Sequence, residues 1–443
     1  MKKPVFILAG IFLLSAICKG IYLTAPQDTA WTLEKCIRYA LEKNIRVRKS
    51  ILSNQTDELY AEQAKAQRFP SLGASVNQNF DWSRSSASSS PGLNGSSASN
   101  YSINSGVTLF NYSRINNLIK QAQLGIENGI YSLETTKESI SLSILNAYLQ
   151  VLYAQEQVKN SRRQIESTES QLNLAGERLA LKGISQADYA QVKSQVASEK
   201  LTLTNSQSQL AIAKVNLMQL MELPVTTDFE IAQPVIAENI NQNRIPDVKD
   251  VYAKALAIKP QVKNAEISKE IAALDENIAK AGYYPVLSAS AVIGSSYSSL
   301  QPDSYFNQVN DGIRPGLGLS LSVPIYQRKQ VKTNVAVSKL NYQDASLNEL
   351  DTRNQLRKNI EQACQDVVSA QAEYEASTEK YNAANESSML SDEKFRQGLI
   401  NSVDYLIQKT NLIAAESQLL KSRYNLIFSY NIMDFYMGVP FKL

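Results

Sequence analysis

FPSLGASVNQNFDWS, residues 69–83, and PVLSASAVIGSSYSS, residues 285–299, decide how this chain is read. In the first, Leu72, Ala74, Val76, Phe80 and Trp82 alternate with Ser71, Gly73, Ser75, Asn77, Asn79 and Asp81. That period of two is the mark of a strand with two different faces. In the second, Leu287, Ala289, Ala291, Ile293 and Tyr297 alternate mostly with Ser288, Ser290, Gly294 and Ser296. Each has a companion: Tyr101, Ile103, Val107 and Leu109 within residues 101–112, and Leu317, Leu319, Leu321, Val323 and Ile325 within residues 314–326. Between the members of each pair lie polar loops, SRSSASSSPGLNGSSAS and SLQPDSYFNQVNDG.

A tilted strand crosses a membrane in about ten residues, which these segments reach. A soluble sandwich also alternates. Here, however, the polar face is almost wholly Ser, Gly and Asn, slender and uncharged, and from residue 69 to 112 the only charges are Asp81 and Arg84. Aromatic residues gather at the strand ends, among them Phe69, Trp82, Tyr101, Phe110, Tyr284, Tyr297 and Tyr326, as in an interfacial girdle. Four strands cannot enclose a water-filled bore, and open edges are not tolerated in lipid. Several chains must therefore share one barrel.

The whole chain is written twice. Pro70 and Pro285 are 215 residues apart, as are Ala40 and Ala255; Glu177 and Glu393, Asp188 and Asp404, and Pro224 and Pro440 are 216 apart. Each unit reads helix, two strands, very long helix, turn, helix. The first occupies residues 26–240, with long helices over 113–182 and 185–222. The second occupies 241–443, with long helices over 327–397 and 401–437. Ile144, Val151, Val158, Ile165, Leu172 and Leu179 recur every seven residues, and three places on stand the small residues Ala147, Ala154, Ser161, Thr168 and Ala175. Ile360, Val367, Tyr374 and Tyr381, with Ala363, Ala370, Ser377, Ala384 and Ser391, repeat the pattern. On the returning helices Tyr189, Val196, Leu203, Leu210 and Leu217 match Tyr405, Leu412, Leu419, Leu426 and Met433. These are antiparallel coiled-coil repeats with close-packing small positions. A helix over 113–182 is about 105 Å long at 1.5 Å per residue, too long for a compact globule. The fold class is therefore α+β: duplicated long coiled-coil helices plus four strands given to a shared transmembrane barrel.

Composition narrows function. With 45 basic and 42 acidic residues, net +3, the 443-residue chain lacks the basic excess that binds nucleic acid. It has no histidine, which removes imidazole bases and most zinc sites. No catalytic constellation, nucleotide loop or redox cluster emerges, so no enzyme activity, cofactor or metal is expected. Residues 1–25 read as a secretory signal, with Lys2 and Lys3 ahead of an apolar run from Val5 to Ile17. Cys18 raises the alternative of lipidation, but Ile17 precedes it where that processing favours a small residue. Cys36 and Cys364 read as small buried residues, or as a pair.

The opening WTLEKCIRYALEKN, the strand starts AQRFPSLGAS and AGYYPVLSAS, the strand exits VTLFNYSR and VPIYQRKQ, and the turns LKGISQADY and RQGLINSVDY together resemble the TolC family of outer-membrane factors. The resemblance covers essentially the whole mature chain. It implies a homotrimer with a barrel of twelve strands in outer-membrane lipid of a Gram-negative bacterium, continuous with a long periplasmic helical tunnel. Such ducts serve tripartite efflux or type I secretion with a periplasmic adaptor and an inner-membrane transporter, which supplies the energy.

The resemblance also implies roles at the tunnel tip. Gly183 and Gly398 mark hairpin turns and adaptor contact, and Asp188 and Asp404 mark the constricted entrance. Asp404 matches a family aspartate six residues after the turn glycine; a second family acid falls at Ile407, where this sequence departs. The first turn is one residue shorter between glycine and aspartate, which weakens the match of Asp188. Both aspartates also suit the start of a helix, where a carboxylate caps backbone amides. The competing reading of the whole chain is an exported coiled-coil structural or adhesive protein without a pore.

Overall fold

The structure is a computed structural model that describes residues 30–84, 93–224, 229–232 and 247–441; the leader over 1–25 and Cys18 lie outside the described residues. The helices are α1 (Leu33–Lys43), α2 (Ile45–Ala66), α3 (Arg114–Ala180), α4 (Gln186–Leu220), α5 (Val248–Ile258), α6 (Pro260–Lys280), α7 (Tyr305–Asp311), α8 (Gln330–Arg396) and α9 (Ser402–Tyr436). The strands are β1 (Ser71–Arg84), β2 (Leu93–Phe110), β3 (Val286–Ser298) and β4 (Arg314–Ser322), antiparallel in the order β1-β2-β3-β4. None of the described helices is long and apolar enough to cross a membrane.

Both long helices have 67 residues and both returning helices have 35, so each hairpin of one repeat superposes by length on the other. At 1.5 Å per residue the longer ones reach about 100 Å. The predicted seam is the buried one in α3: Ile144, Val151, Val158 and Ile165 with Ala147, Ala154, Ser161, Thr168 and Ala175. Small residues there let the partner helix approach, and each buried Ile or Val contributes about 1.5–3 kcal/mol. Two apolar clusters anchor the bases of the hairpins. One joins α1, the middle of α3 and the end of α4 with Phe229 and Ile231; the other joins α5, α8 and α9. Cys36 lies in the first and Cys364 in the second, both free thiols.

Where the sequence showed one short leading helix per repeat, the structure has two. The break after α1 falls at Asn44, whose side chain accepts from Arg46 N at 2.9 Å and donates to Leu220 O at 2.8 Å. The break after α5 falls at Lys259, because Pro260 holds the preceding residue extended, here at ψ 122°.

The strands also differ from their expected limits. β2 begins at Leu93, well before residue 101, because β1 pairs it through Trp82↔Gly95 to Arg84↔Leu93. Its Ser- and Gly-rich start carries turn composition, yet a neighbouring strand supplies every ladder partner. β4 stops at Ser322 because Pro324 has no N–H for a ladder. The second loop contains α7, which packs on β3.

Register assigns the two faces. Val76↔Tyr101↔Ser295, Ala74↔Ile103↔Ile293, and Val107↔Ala289↔Leu319 place the apolar set on one side. Gly73↔Asn104, Ser75↔Ser102↔Gly294 and Ser290↔Gly318 place the slender polar set on the other. A bulge between Thr108 and Phe110 corrects the expected alternation: Leu109 drops out of register and Phe110 joins Leu287 on the apolar side. Tyr101 proves to be mid-strand, its hydroxyl 2.6 Å from that of Tyr305 on α7. Phe69, Trp82, Phe110, Tyr284 and Tyr326 are all exposed. The outer edges of β1 and β4 pair with no strand among the described residues, and the chief helical neighbour of the sheet is the short α7.

Candidate functional site

The two hairpin turns lie side by side at the end of the rods farthest from the sheet. Each ends its long helix with the same pair of backbone bonds. Gly183 N donates to Arg178 O and Lys182 N to Leu179 O; Leu399 N donates to Lys394 O and Gly398 N to Phe395 O. This closure needs a left-handed residue at its penultimate position. In the second turn that residue is Gly398, with φ 75°; in the first it is Lys182, with φ 59°. Gly183 is thus not the counterpart of Gly398, contrary to the reading from the glycines. The true counterparts are Lys182 and Gly398, and the apparent one-residue difference in spacing disappears.

Asp188 and Asp404 consequently hold equivalent positions, each third in a 35-residue helix. Ser185 caps α4: its Oγ accepts from Asp188 N at 3.1 Å, and the Asp188 carboxylate accepts from Ser185 N at 3.3 Å and Ser185 Oγ at 2.7 Å. Asn401 caps α9 through Oδ1, which accepts from Asp404 N at 2.8 Å, and the Asp404 side chain is exposed. A cleft of about 510 Å3 between the turns gathers Gly183, Gly398, Asp188, Arg178 and Asn401; Asp404 is outside its lining.

Arg178 joins the hairpins, and the sequence reading missed it. Its guanidinium donates to Phe395 O at 3.1 Å and Arg396 O at 2.6 Å, and stands over the Phe395 ring at 5.6 Å. A cation at the last carbonyls of α8 opposes the negative end of that helix. Phe395 in turn stacks on buried Tyr405, with ring centroids 4.7 Å apart. Burial, with Asp392 nearby, raises the Tyr405 phenol above its ordinary range.

Arg178 is the last rung of a polar ladder. Gln157 donates to Ser417 Oγ, Gln164 to Glu199 Oε1 and Gln171 to Asp392 Oδ1, each at 3.4 Å, and these residues stand seven apart. Lys409 adds a 2.9 Å bond to Ser167 Oγ; burial lowers its ammonium pKa, while Glu199, Asp392 and Glu416 pull it back up. The spacing of Gln157, Gln164, Gln171 and Arg178 was a legible signal, set beside the apolar heptad. Chemically, the site offers hydrogen bonds, fixed charge and a narrow surface. Among the described residues no three His, Cys, Asp or Glu side chains converge as metal ligands.

Solved structures share this fold over nearly the whole chain. CusC, which forms a transmembrane channel, superposes with TM-score 0.80 at 14% identity, covering 92% of each chain. The outer membrane protein VceC of Vibrio cholerae gives 0.76 at 17% identity, covering 93% of this chain and 97% of its own. The open state of the MtrE outer membrane channel of Neisseria gonorrhoeae gives 0.76 at 19%, covering 93% and 89%. No relative matches among curated protein sequences. The model of the outer membrane efflux protein family matches twice, over residues 36–222 and 251–439, one match for each repeat. With that double match spanning most of its length, the chain belongs to the outer membrane efflux protein family, whose members are outer-membrane channels with a long periplasmic helical extension.

Proposed function

We propose that three copies of this chain form a passive export duct, each giving four strands to a twelve-stranded barrel and two hairpins to a periplasmic tunnel. One observation carries the reading. The sheet sorts its side chains into an apolar face and a Ser, Gly and Asn face, while the outer edges of β1 and β4 meet no strand among the described residues. Lipid tolerates neither an open edge nor a polar outer face, so the edges must meet those of further copies and the slender face must turn inward to water. Phe69, Trp82, Phe110, Tyr284, Tyr297 and Tyr326 then serve as the interfacial girdle.

At the far end the turns around Gly183 and Gly398 form the contact for a periplasmic adaptor, coupled to an inner-membrane transporter that does the work. Asp188 and Asp404 from three copies line the entrance with carboxylates. Asp188 does so while also capping α4, so the two roles drawn from the sequence coexist in one residue.

Detergent-extracted protein reconstituted in planar bilayers tests this. The expected result is a trimer by mass with discrete ion-conducting steps. A monomer soluble without detergent, giving no conductance, would favour a coiled-coil stalk and end the duct reading.

A further inference from the structure

The helix-side ends of β1 and β4 carry an unusual charge pattern. Arg68 precedes β1, and Arg328, Lys329 and Lys332 follow β4; all four are exposed. No acidic residue occurs between Glu62 and Asp81, or between Asp311 and Asp344. Arg68 donates to Asn116 Oδ1 at 2.9 Å, and none of the four makes an ion pair among the described residues.

In the shared barrel the free edge of β4 meets the free edge of β1 in the next copy, and antiparallel pairing puts their helix-side ends together. Arg68 of one copy then faces Arg328, Lys329 and Lys332 of the next. Four like charges at one seam repel one another, and the first turn of α8 brings the positive end of a helix to the same place. Only an anion relieves this. Beside these cations stand Phe69, Ile325 and Tyr326, which are 73%, 94% and 82% exposed. Aromatic and aliphatic groups at that level match the boundary between headgroups and acyl chains.

We propose that each seam between copies clamps the headgroup of an anionic phospholipid of the inner leaflet, between Arg68 and the Arg328, Lys329 and Lys332 cluster. This rests on the shared-barrel reading. The lipid phosphate accepts from the guanidinium and ammonium groups, and its chains lie along Ile325 and Tyr326. It thereby fixes the depth of the barrel and closes the seam electrostatically.

Native mass spectrometry of the delipidated protein, titrated with phosphatidylglycerol, phosphatidylcholine or inorganic phosphate, tests it. The expected result is a trimer that retains up to three phosphatidylglycerol molecules and discriminates against phosphatidylcholine. The Arg328→Gln/Lys329→Gln/Lys332→Gln variant, still trimeric, loses at least about tenfold in that affinity, and Arg68→Gln loses a smaller part. A trimer that takes both lipids equally, or a triple variant with unchanged retention, overturns the clamp and leaves the duct standing. Inorganic phosphate displacing the lipid at equal concentration also overturns it, by showing a phosphate site in place of a lipid site. A protein that stays monomeric overturns the duct and the seam together.

Discussion

Lys259 Nζ stands 3.1 Å from Glu138 Oε1 and 3.2 Å from the centroid of the Phe435 ring, at the break between α5 and α6. Its side chain is 3% exposed and that of Glu138 is 32% exposed. Burial pushes the ammonium pKa down and the carboxyl pKa up, and their mutual attraction opposes both shifts. Lys259 corresponds to Asn44 of the first repeat, which likewise reaches the end of its returning helix, at Leu220 O. A polar side chain at each break thus ties the short helices to the base of a hairpin.

The partners in this pair are not equally dispensable. Glu138→Leu leaves a dry, charged Lys259 among aromatic rings with no acceptor opposite it, a loss of about 3 kcal/mol by analogy with broken buried pairs. Lys259→Met fills the same space without charge and leaves Glu138 partly in water, a loss below about 1 kcal/mol. Denaturant melts of the solubilised protein check the order. Equal losses would mean that the pair contributes through packing alone.

At the turns, Lys182 holds a left-handed conformation that costs a side-chain-bearing residue about 1 kcal/mol relative to glycine. Lys182→Gly should therefore tighten the first turn, slowing amide exchange over residues 178–186 by about fivefold. Gly398→Ala should loosen the second turn by a similar factor, although open space surrounds that position. Opposite signs are required; the same sign at both turns would show that backbone strain is not what limits them.

This pair of residues also shows what the sequence could reveal. The rods and the faces of the sheet were legible because they rest on periods of seven and two that packing enforces, and the duplication because its landmarks recur at 215 or 216 residues. The turn geometry was not, because Lys182 holds the left-handed position that glycine usually marks, and the nearest glycine, Gly183, stands one residue further on. Tertiary pairing was equally hidden: β2 starts in a stretch of serine and glycine that only β1 converts to strand, and the bulge at Leu109 exchanges one apolar residue for another. Arg178 lies on the legible polar heptad of Gln157, Gln164 and Gln171, but its partners, the backbone carbonyls of residues 395 and 396, are announced by no side-chain pattern.

Cys36 supplies a pH test. Burial raises its thiol pKa to about 12, against an ordinary value near 9. The stability tied to keeping it neutral is complete below pH 9 and is lost between about pH 9 and 12, because the unfolded thiol ionises first. The slope for one such group is about 1.4 kcal/mol per pH unit. Alkaline melts should show that slope in the intact chain and a shallower one in Cys36→Ala, compared each with its own value at pH 8. Parallel slopes would mean that another group sets the alkaline limit. Iodoacetamide should likewise leave Cys36 unmodified at pH 8 until the protein unfolds.

The tip can be probed without undoing it, because an amide keeps a capping acceptor while it removes the charge. Asp188→Ala would delete both the carboxylate and the bonds to Ser185 N and Oγ, at a cost of about 1 kcal/mol to the start of α4. Asp188→Asn retains an acceptor oxygen for those bonds and removes only the charge, and Asp404→Asn does the same at an exposed position whose cap is made by Asn401. In single-channel recordings the double Asn variant should be blocked less by multivalent cations than the native duct, with its far-ultraviolet helicity unchanged. A carboxylate ring acts through summed field, so each single variant should fall between native and double. If the double variant is blocked as strongly as the native duct, the entrance charge resides elsewhere. If Asp404→Asn alone reproduces the double, only the second hairpin faces the bore and Asp188 is a helix cap and nothing more.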